Sequence, residues 1–573
     1  MALDSAPMRT QPSACGLGIV LLLGACARPV EEATDIPQDT LTPSHDILTD
    51  ITDESGLSFL HVSEPMGSFL LPDEMGSGGA VLDFDSDGDM DVYLVQTGLH
   101  SAPQDPLPNR LYRNEGTNRF LDVTTVVNAG ALTRETGFGI GCSAADYDAD
   151  GDVDLYVTRL GPNVLMRNNG NGRFSDVTSE AGVGDPGFGA SASFLDYDRD
   201  GHLDLYVVNY VDWAAHLEGS CFDPRGLRDY CSPVVYDSPA LDRLYRGTPQ
   251  HAFIDVNTRS GVGGARGNGL GVVSTDFDGD GWVDIFVAND QTPGFLWINQ
   301  GDGTLLEDAA LRGCAFNSDG MAIAGMGVVA EDLDGDQDFD LMVTNITTQP
   351  HLGLRNEGTH FVDSTHLWGL AGWGVPRTGF GFGLFDQNLD GQLDGMVVNG
   401  AVNRLSEPFA EGFDYEEPNQ FIRRDSAGRF FDASDEAASA LHELSISRAL
   451  LLGDYDADGD LDAVVTSNRG PAQVLRNENR SGHSWLVLDL VGRGGRRDMF
   501  NSRVQVHAAG KILIREVRSS QGFLGSNDPR LFFGLGEATT VERVEVHWTD
   551  GAQQVLVNLP VNRFITLRQG ADT

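Results

Sequence analysis

Short runs rich in β-branched and aromatic residues, bounded by Gly, Asn and Asp, recur along most of this chain. Such runs read as β-strands, and their bounds read as turns. One block is clearest between residues 76 and 124. A Gly-rich run, Gly76-Ser-Gly-Gly-Ala80, leads into an acidic stretch from Asp83 to Asp91, and the apolar run Val92-Tyr-Leu-Val95 follows at once. Then comes Leu111-Tyr-Arg-Asn-Glu-Gly-Thr-Asn-Arg-Phe120-Leu-Asp-Val-Thr124, two apolar runs about an Asn/Gly turn, which predicts a hairpin. The hairpin returns at Leu165 to Thr178, and weaker copies lie at Leu244 to Val256, Leu296 to Asp308, Leu354 to Asp363 and Phe421 to Asp432. Each unit is therefore a Gly-rich strand, an acidic loop, a second strand and a hairpin.

The acidic loop occurs seven times, starting at Asp83, Asp146, Asp196, Asp276, Asp332, Asp386 and Asp454, with spacings of 63, 50, 80, 56, 54 and 68 residues. Four-stranded units at a period near ~50 residues predict an all-β fold, a seven-bladed β-propeller. The seventh unit runs to Val474-Leu-Arg-Asn477 but lacks the outer Phe-x-Asp-Val-Thr segment. Ile47-Leu-Thr-Asp-Ile-Thr52 supplies it from the other end, so the N-terminal strand is expected to close the ring and remove the exposed edge. From Ser484 the pattern changes. Trp485 to Val491, Arg503 to Val506, Ile512 to Ile514 and Val541 to Trp548 alternate like half-buried strands, and they predict a small all-β C-terminal domain over 483–570 after a propeller over 47–482.

The loops carry the chemistry. Carboxylates stand at positions 1, 3, 5 and 9, and Gly at position 6 permits a sharp turn. Ca²⁺ takes 6–8 oxygen ligands, and alternate carboxylates on one tight loop can converge on it. Position 7 varies and would serve through its backbone carbonyl. The expected ligands are Asp83, Asp85, Asp87, Asp89 and Asp91; then Asp146, Asp148, Asp150, Asp152 and Asp154; then Asp196, Asp198, Asp200, His202 and Asp204. They continue with Asp276, Asp278, Asp280, Trp282 and Asp284, and with Asp332, Asp334, Asp336, Asp338 and Asp340. The last two sets are Asp386, Asn388, Asp390, Gln392 and Asp394, and Asp454, Asp456, Asp458, Asp460 and Asp462. An EF-hand is excluded, because position 12 is Leu94 or Val157 inside a strand rather than Glu before a helix. Up to seven Ca²⁺ are expected. The loops at Asp332 and Asp386 are the weaker, having Gln337 in place of Gly and Asn388 in place of Asp.

Charge narrows the partners. The chain of 573 residues carries a net −47, and the loops hold 31 of its 85 acidic residues. Seven divalent ions would bring −47 only to −33. Nucleic acid is excluded, and a membrane is reached only through a lipid anchor. Lys511 is the single lysine. Leu17 to Leu23 is too short to span a bilayer, and it closes on Leu23-Gly-Ala-Cys26. Residues 1–26 thus read as an export signal of the lipoprotein type, with Cys26 acylated, or else as a plain secretion signal; Met8-Arg9 offers a second start. Residues 27–46 read as a flexible tether. In an exported protein Cys221 and Cys231, nine residues apart in between, suggest a disulfide clamping a loop, free thiols being the alternative; Cys142 and Cys314 read as small buried residues.

The repeats resemble the FG-GAP/VCBS repeats of integrin α-chain propellers. More closely they resemble bacterial relatives of the cartilage acidic protein family, through the Gly76 to Ala80 segment, the Leu-Tyr-Arg-Asn and Phe-x-Asp-Val-Thr segments, and the Cys221 to Pro233 insertion. The C-terminal part is similar to the ASPIC/UnbV domain of that family, through Gln521 to Gly525, Phe533-Gly-Leu-Gly536 and Trp548-Thr-Asp-Gly551. Gly525-Ser526 departs from the Ser-Gln that the family pattern leads one to expect. The resemblance implies a secreted Ca²⁺-binding propeller used in adhesion or matrix contacts, and no reaction.

Topology then places the working surface. Every acidic loop joins a first strand to a second, so the chain leaving a second strand emerges roughly 15–18 Å away, on the other face. Thr97 to Asn109, Asn209 to Asp242 and Asn399 to Asn419 all do so. Binding loops concentrate on such insertions. Five residues past each loop stand Gln96, Arg159, Asn209, Asn289, Asn345, Asn399 and Ser467, either strand-capping residues or a polar ring facing a ligand. No Gly-x-Ser-x-Gly, His-Glu-x-x-His, P-loop or Rossmann fingerprint is present, and His100, His216, His351 and His442 fall in predicted loops, where solvated surface is expected. The expectation is an exported cell-surface binding or adhesion module with a protein or glycan ligand, at the bacterial envelope or outer membrane or otherwise secreted. The alternative is an enzyme, or enzyme accessory, acting on extracellular polysaccharide.

Overall fold

A glycine at the start of each repeat decides how closely the repeats pack. In the computed structural model, which describes residues 47–64, 67–98, 107–127 and 138–570, a Cβ on Gly327 would lie 2.2 Å from the Phe380 carbonyl oxygen, and one on Gly271 2.3 Å from that of Met326. These two neighbours bring backbone against backbone, which only glycine allows. The strands so packed are the innermost of seven sheets: Gly79–Leu82, Phe138–Ala145, Gly189–Leu195, Gly269–Thr275, Val328–Glu331, Gly379–Phe385 and Ser447–Gly453. Each touches the next, and Ser447–Gly453 touches Gly79–Leu82.

Six of the seven sheets run outward in chain order as four antiparallel strands, the expected unit. In the first, Gly79–Leu82 pairs with Asp91–Leu94, then Arg110–Asn114, then Phe120–Asp122. First and second strands are buried at every position, because neighbouring sheets cover both faces; they read as unbroken apolar runs for that reason. Outer strands such as Phe120–Asp122 bury one residue and expose two. The seventh sheet is completed from the N-terminus, with Leu48 opposite Asn477 and Asp50 opposite Leu475. The fold is all-β and propeller-like. The export signal, Cys26, the tether and His100 lie outside the described residues, as does much of the Thr97 to Asn109 segment.

The C-terminal residues form two further sheets, one of three strands built on Ser484–Val491 and one of four built on Arg503–Ala508 and Thr540–His547. Their shared core (Leu488, Val506, Phe533, Val544) is continuous with that of the second and third propeller-like sheets through Tyr147, Phe194 and Val207. They do not stand apart. The segment between the two sheets runs into the middle of the ring of inner strands. Gly525–Ser526, the pair that departs from the family pattern, adds a parallel strand to Gly79 and Ala80, and Gly522 bridges Val328. Phe523 and Leu524 are buried among Ile140, Phe188, Leu270, Met326 and Phe380, with the Phe523 and Phe380 rings 4.8 Å apart. The first residues of the inner strands thus surround an apolar plug from the far end of the chain.

Candidate metal centres and the face opposite them

Each acidic loop is wound by its own carboxylates. In the first, the position-1 carboxylate of Asp83 accepts the N–H of Asp87 at 3.1 Å and of Gly88 at 3.3 Å. The same pattern recurs at Asp146, Asp276, Asp386 and Asp454. Position 9 locks the loop to its sheet. One oxygen of Asp91 accepts the N–H of Phe84 and the other that of Asn114, and Asp154, Asp284, Asp340 and Asp462 repeat this. Position 6 needs φ near +90°: Gly88 has 95° and Gly151 has 99°. Gln337 adopts the same conformation at 82°, a cost for a residue with a side chain.

This winding brings carboxylate oxygens together. Asp83, Asp85 and Asp91 offer oxygens within 4.8 Å of one another, and so do Asp146, Asp148 and Asp154, Asp196, Asp198 and Asp204, and Asp276, Asp278 and Asp284. In the loop bearing Gln337 the converging set is Asp332, Asp334 and Asp336 instead. Positions 5 and 7 do not join the first four sets. Asp87, Asp150 and Asp280 accept the N–H of position 7, and the half-buried side chains of Asp89, Asp152 and Trp282 lie against the hairpin glycines Gly116, Gly170 and Gly301. Trp282 has a different task, its ring lying 4.4 Å below the Arg199 guanidinium of the preceding loop.

The sets are short of positive charge. Burial, ahead of the neighbouring carboxylates, pushes Asp91 up to about 9, Asp284 and Asp340 to about 8, and Asp146, Asp196 and Asp454 to about 7. Asp460 reaches about 10 from burial and then Asp458. Buried oxygens of Asp148, Asp196, Asp278, Asp456 and Asp460 have no hydrogen-bond partner. Buried, unpaired, all-oxygen donor sets are what a hard cation fits.

The asparagine of each Leu-Tyr-Arg-Asn hairpin has a role that spacing alone did not reveal. Its side-chain amide donates to the position-2 carbonyl of the preceding metal loop: Asn168 to Phe84 at 2.7 Å, Asn299 to Tyr197 at 2.8 Å, Asn356 to Phe277 at 2.8 Å, Asn477 to Gln387 at 3.1 Å. Asn114 reaches Tyr455 at 2.7 Å and ties the first sheet to the seventh. Where the sixth sheet has no asparagine, the Arg424 guanidinium donates to Leu333. The clue was the recurrence of Asn at the end of every strong hairpin copy.

The C-terminal residues sit on the acidic loops, touching six of them directly and the strand that leads into the fourth. Arg497 pairs with Asp83 at 3.3 Å, and Asp498 accepts the Asp146 N–H at 2.6 Å. Arg496 lies against Gly201, and Asn501 donates to Ser274 at 2.9 Å beside the fourth loop. Arg503 donates to Gln337, Lys511 to Asp390 at 2.9 Å, and Arg530 to Asp454 at 3.3 Å. Lys511, the lone lysine, is therefore spent on a loop carbonyl.

The other ends of the strands carry the two insertions. Cys221 and Cys231 form the disulfide, joined across a small hairpin, and Cys142 and Cys314 are buried free thiols. Arg404 of the second insertion donates its N–H to Asp229 of the first at 2.9 Å, and the Tyr415 hydroxyl reaches Asp229 at 2.7 Å. Four of the seven polar residues beyond the loops give their amides to backbone: Asn289 to Pro293 and Asn345 to Pro350 within their own turns, Asn399 to Pro418 and Gln96 to Leu60 across longer connections. His351 is not surface either. It is 2% exposed, and its ring accepts the Asn345 N–H at 3.0 Å.

Comparison with known proteins gives the following. The FG-GAP-like repeat family matches residues 83–157, 146–207 and 276–343, and the ASPIC and UnbV family matches 492–573. Cartilage acidic protein 1 of Homo sapiens is 24% identical over 516 residues, 84% of this chain and 70% of that protein. That of Mus musculus is 24% identical over 517 residues, 84% of this chain and 71% of that one. Among solved structures, an Agrocybe aegerita lectin that recognises non-reducing terminal N-acetylglucosamine aligns with a TM-score of 0.37 and 15% identity, over 72% of this chain and 90% of that one.

Proposed function

For a chain built of FG-GAP-like repeats and an ASPIC and UnbV domain, homologous to cartilage acidic protein 1, we propose a Ca²⁺-stabilised binding module at the cell surface. Its frame is a seven-bladed β-propeller closed by the N-terminal strand, and the pairing of Leu48–Asp50 with Gln473–Asn477 supports that closure. Residues 47–482 are the propeller and 483–570 the domain that caps it. Ca²⁺ is the ion because the donors are carboxylates and carbonyls alone. Its role is structural: each occupied loop gains the charge it lacks and holds its two strands in register. The chain's own residues bind, orient and seal; no reaction is assigned to them.

One observation carries the assignment of faces. Six of the seven loops, and the strand leading into the fourth, lie against the C-terminal residues, whereas the disulfide-clamped insertion and its neighbour stand on the opposite side. That side exposes Phe222, Leu227, Val234 and Val235 from one insertion and Phe409 and Phe413 from the other. Rigid scaffolds present ligands to such loops. An exported lipoprotein, anchored at Cys26 through the 27–46 tether, would hold this face toward an extracellular protein or glycan. Capture from native envelope extract with the intact protein, in Ca²⁺ and in EDTA, tests the reading. A partner retained in Ca²⁺ and lost on Phe222→Ala with Phe409→Ala is expected; equal retention by that variant rejects the face. A reducing-end release assay on the same captured glycans reads out the polysaccharide-acting alternative.

A further inference from the structure

Beyond the plug, toward the insertion-bearing face, the axis holds a small cavity of about 30 Å³. Its walls come from the first residues of the inner strands and the last residues of the second strands. Leu270, Met326 and Phe380 are apolar; Tyr210, Asp290 and Glu74 are not. Cys231 to Pro233 of one insertion and Val402 and Asn403 of the other roof it. Sequence order explains the assembly: Glu74 precedes the first inner strand, while Tyr210 and Asp290 each follow a second strand by one residue.

Two carboxylates face this cavity, and the cation beside them, Arg448, acts on Glu74 and not on Asp290. Asp290 is 8% exposed; one of its oxygens accepts the Tyr210 hydroxyl at 2.7 Å, and the other has no hydrogen-bond partner. Burial raises the Asp290 carboxyl to about 6, with the Tyr210 and Gln291 side chains opposing. Glu74 is driven well above its ordinary value by burial, which the Arg448 charge opposes and the charge of Asp290 reinforces. Arg448 reaches the Glu74 carboxyl through its charge only, its N–H groups being given to backbone. It is 1% exposed, donates to the backbone carbonyls of Glu74, Gly400 and Ser447 at 2.7, 3.0 and 2.9 Å, and lies 3.9 Å from the centre of the Phe380 ring. An unpaired buried carboxylate oxygen is expensive, and a ligand that supplies N–H donors and positive charge relieves it.

We propose that this axial cavity binds a primary alkylammonium group, the head alone seated in the cavity at the unpaired Asp290 oxygen near Glu74 and the methylenes leaving between the two insertions that roof it. A hard divalent ion is disfavoured by the apolar walls, since it requires 6–8 oxygens. A guanidinium plane is too broad for a space that holds only one or two water-sized groups. The ammonium offers three donors on a slim stem, which suits the space. A free amine and a lysine side chain share this chemistry. The two insertions that roof the cavity also expose Phe222, Val234 and Phe409, apolar side chains that suit a lysine presented by a peptide.

The inference rests on the insertion-bearing face being the binding face, and its test is separable from that reading. Isothermal titration of the Ca²⁺-loaded protein with n-butylammonium, and with Nα-acetyl-lysine methylamide, is expected to saturate at one site. The uncharged Nα-acetyl-norleucine methylamide is expected not to bind. Asp290→Asn should weaken the amine at least tenfold, and the near-isosteric Glu74→Gln should weaken it too; the melting curve of each variant separates loss of the site from loss of the fold. Stronger binding of the lysine compound supports a protein source, and equal binding a free amine. No saturation by the unsubstituted protein, or unchanged affinity in both variants, overturns the cavity as a site. Capture of an envelope partner with no amine binding would reject the cavity and leave the face; amine binding without capture would do the reverse.

Discussion

At the scale of single residues, the hairpin asparagines join neighbours that sequence places far apart. Asn168 and Asn356 are buried, and each gives its amide to one buried carbonyl of the preceding loop. Replacing either by Ala leaves that carbonyl without a donor, which costs about 1–3 kcal/mol. Calorimetry should show a lower Tm for Asn168→Ala, and one indistinguishable from the parent would mean the tie carries no weight. The histidines yield a second expectation. Burial holds His351 at about 3, and burial with Arg469 and then Arg448 holds His61 at about 3. The unfolded chain takes up these protons near ~6.5 and the folded one resists until far lower, so their stabilisation is complete above ~6.5 and declines as pH falls toward 3. A pH series of Tm should therefore drop on the acid side, and His351→Gln should flatten part of the drop. The repeating Asn was visible in the sequence, but its partner was not, because the acceptor belongs to another repeat. His351 was misread as surface because a loop between strands normally is one; here Trp373 packs against its ring at 5.0 Å.

At the scale of the loop and its flanking strands, legibility was high. A repeated D-x-D pattern gives identical local geometry wherever the glycine turn and the closing aspartate are kept, and the strands on both sides followed from apolar runs. What local pattern left out was the division of labour: position 9 bonds two backbone N–H groups while joining the cluster, and position 5 accepts the N–H of position 7. Metal removal should therefore be felt broadly. With each site at 100 times its Kd contributing roughly 2.7 kcal/mol, EDTA should lower Tm strongly at low ionic strength; an unmoved Tm would sink the metal reading. The fifth loop gives a test of opposite sign. Gln337 occupies a left-handed conformation at φ 82°. Gln337→Gly should relieve about 1 kcal/mol and raise the Tm of the Ca²⁺-loaded protein, whereas Gly88→Gln in the first loop should lower it by a similar amount.

At the scale of the whole molecule, the plug changes the picture that repeats alone suggest. Its partners lie on six different inner strands or their leads, and nothing in the local composition of Gln521-Gly-Phe-Leu-Gly525 announces that it will be buried there. Phe523→Ala removes a fully buried ring from the axis, and a loss of about 3–5 kcal/mol is expected, read as a fall in the Tm of the entire protein rather than of the C-terminal sheets alone. If two separate transitions appear instead, the cap and the repeats are energetically independent. The N-terminal strand adds a matching constraint at the other end, since the seventh sheet borrows Leu48–Asp50.

The parallel pairing of Gly525–Ser526 with Gly79–Ala80 has a consequence in time. The sheet made first by the ribosome waits for an edge made about 450 residues later, a delay of roughly 20–90 s at ordinary rates of synthesis. A nascent chain of this kind spends that interval with an unfilled hub, and every premature stop before residue 526 leaves it so permanently. Release of the finished polypeptide, rather than completion of any repeat, becomes the event that commits it to its native state.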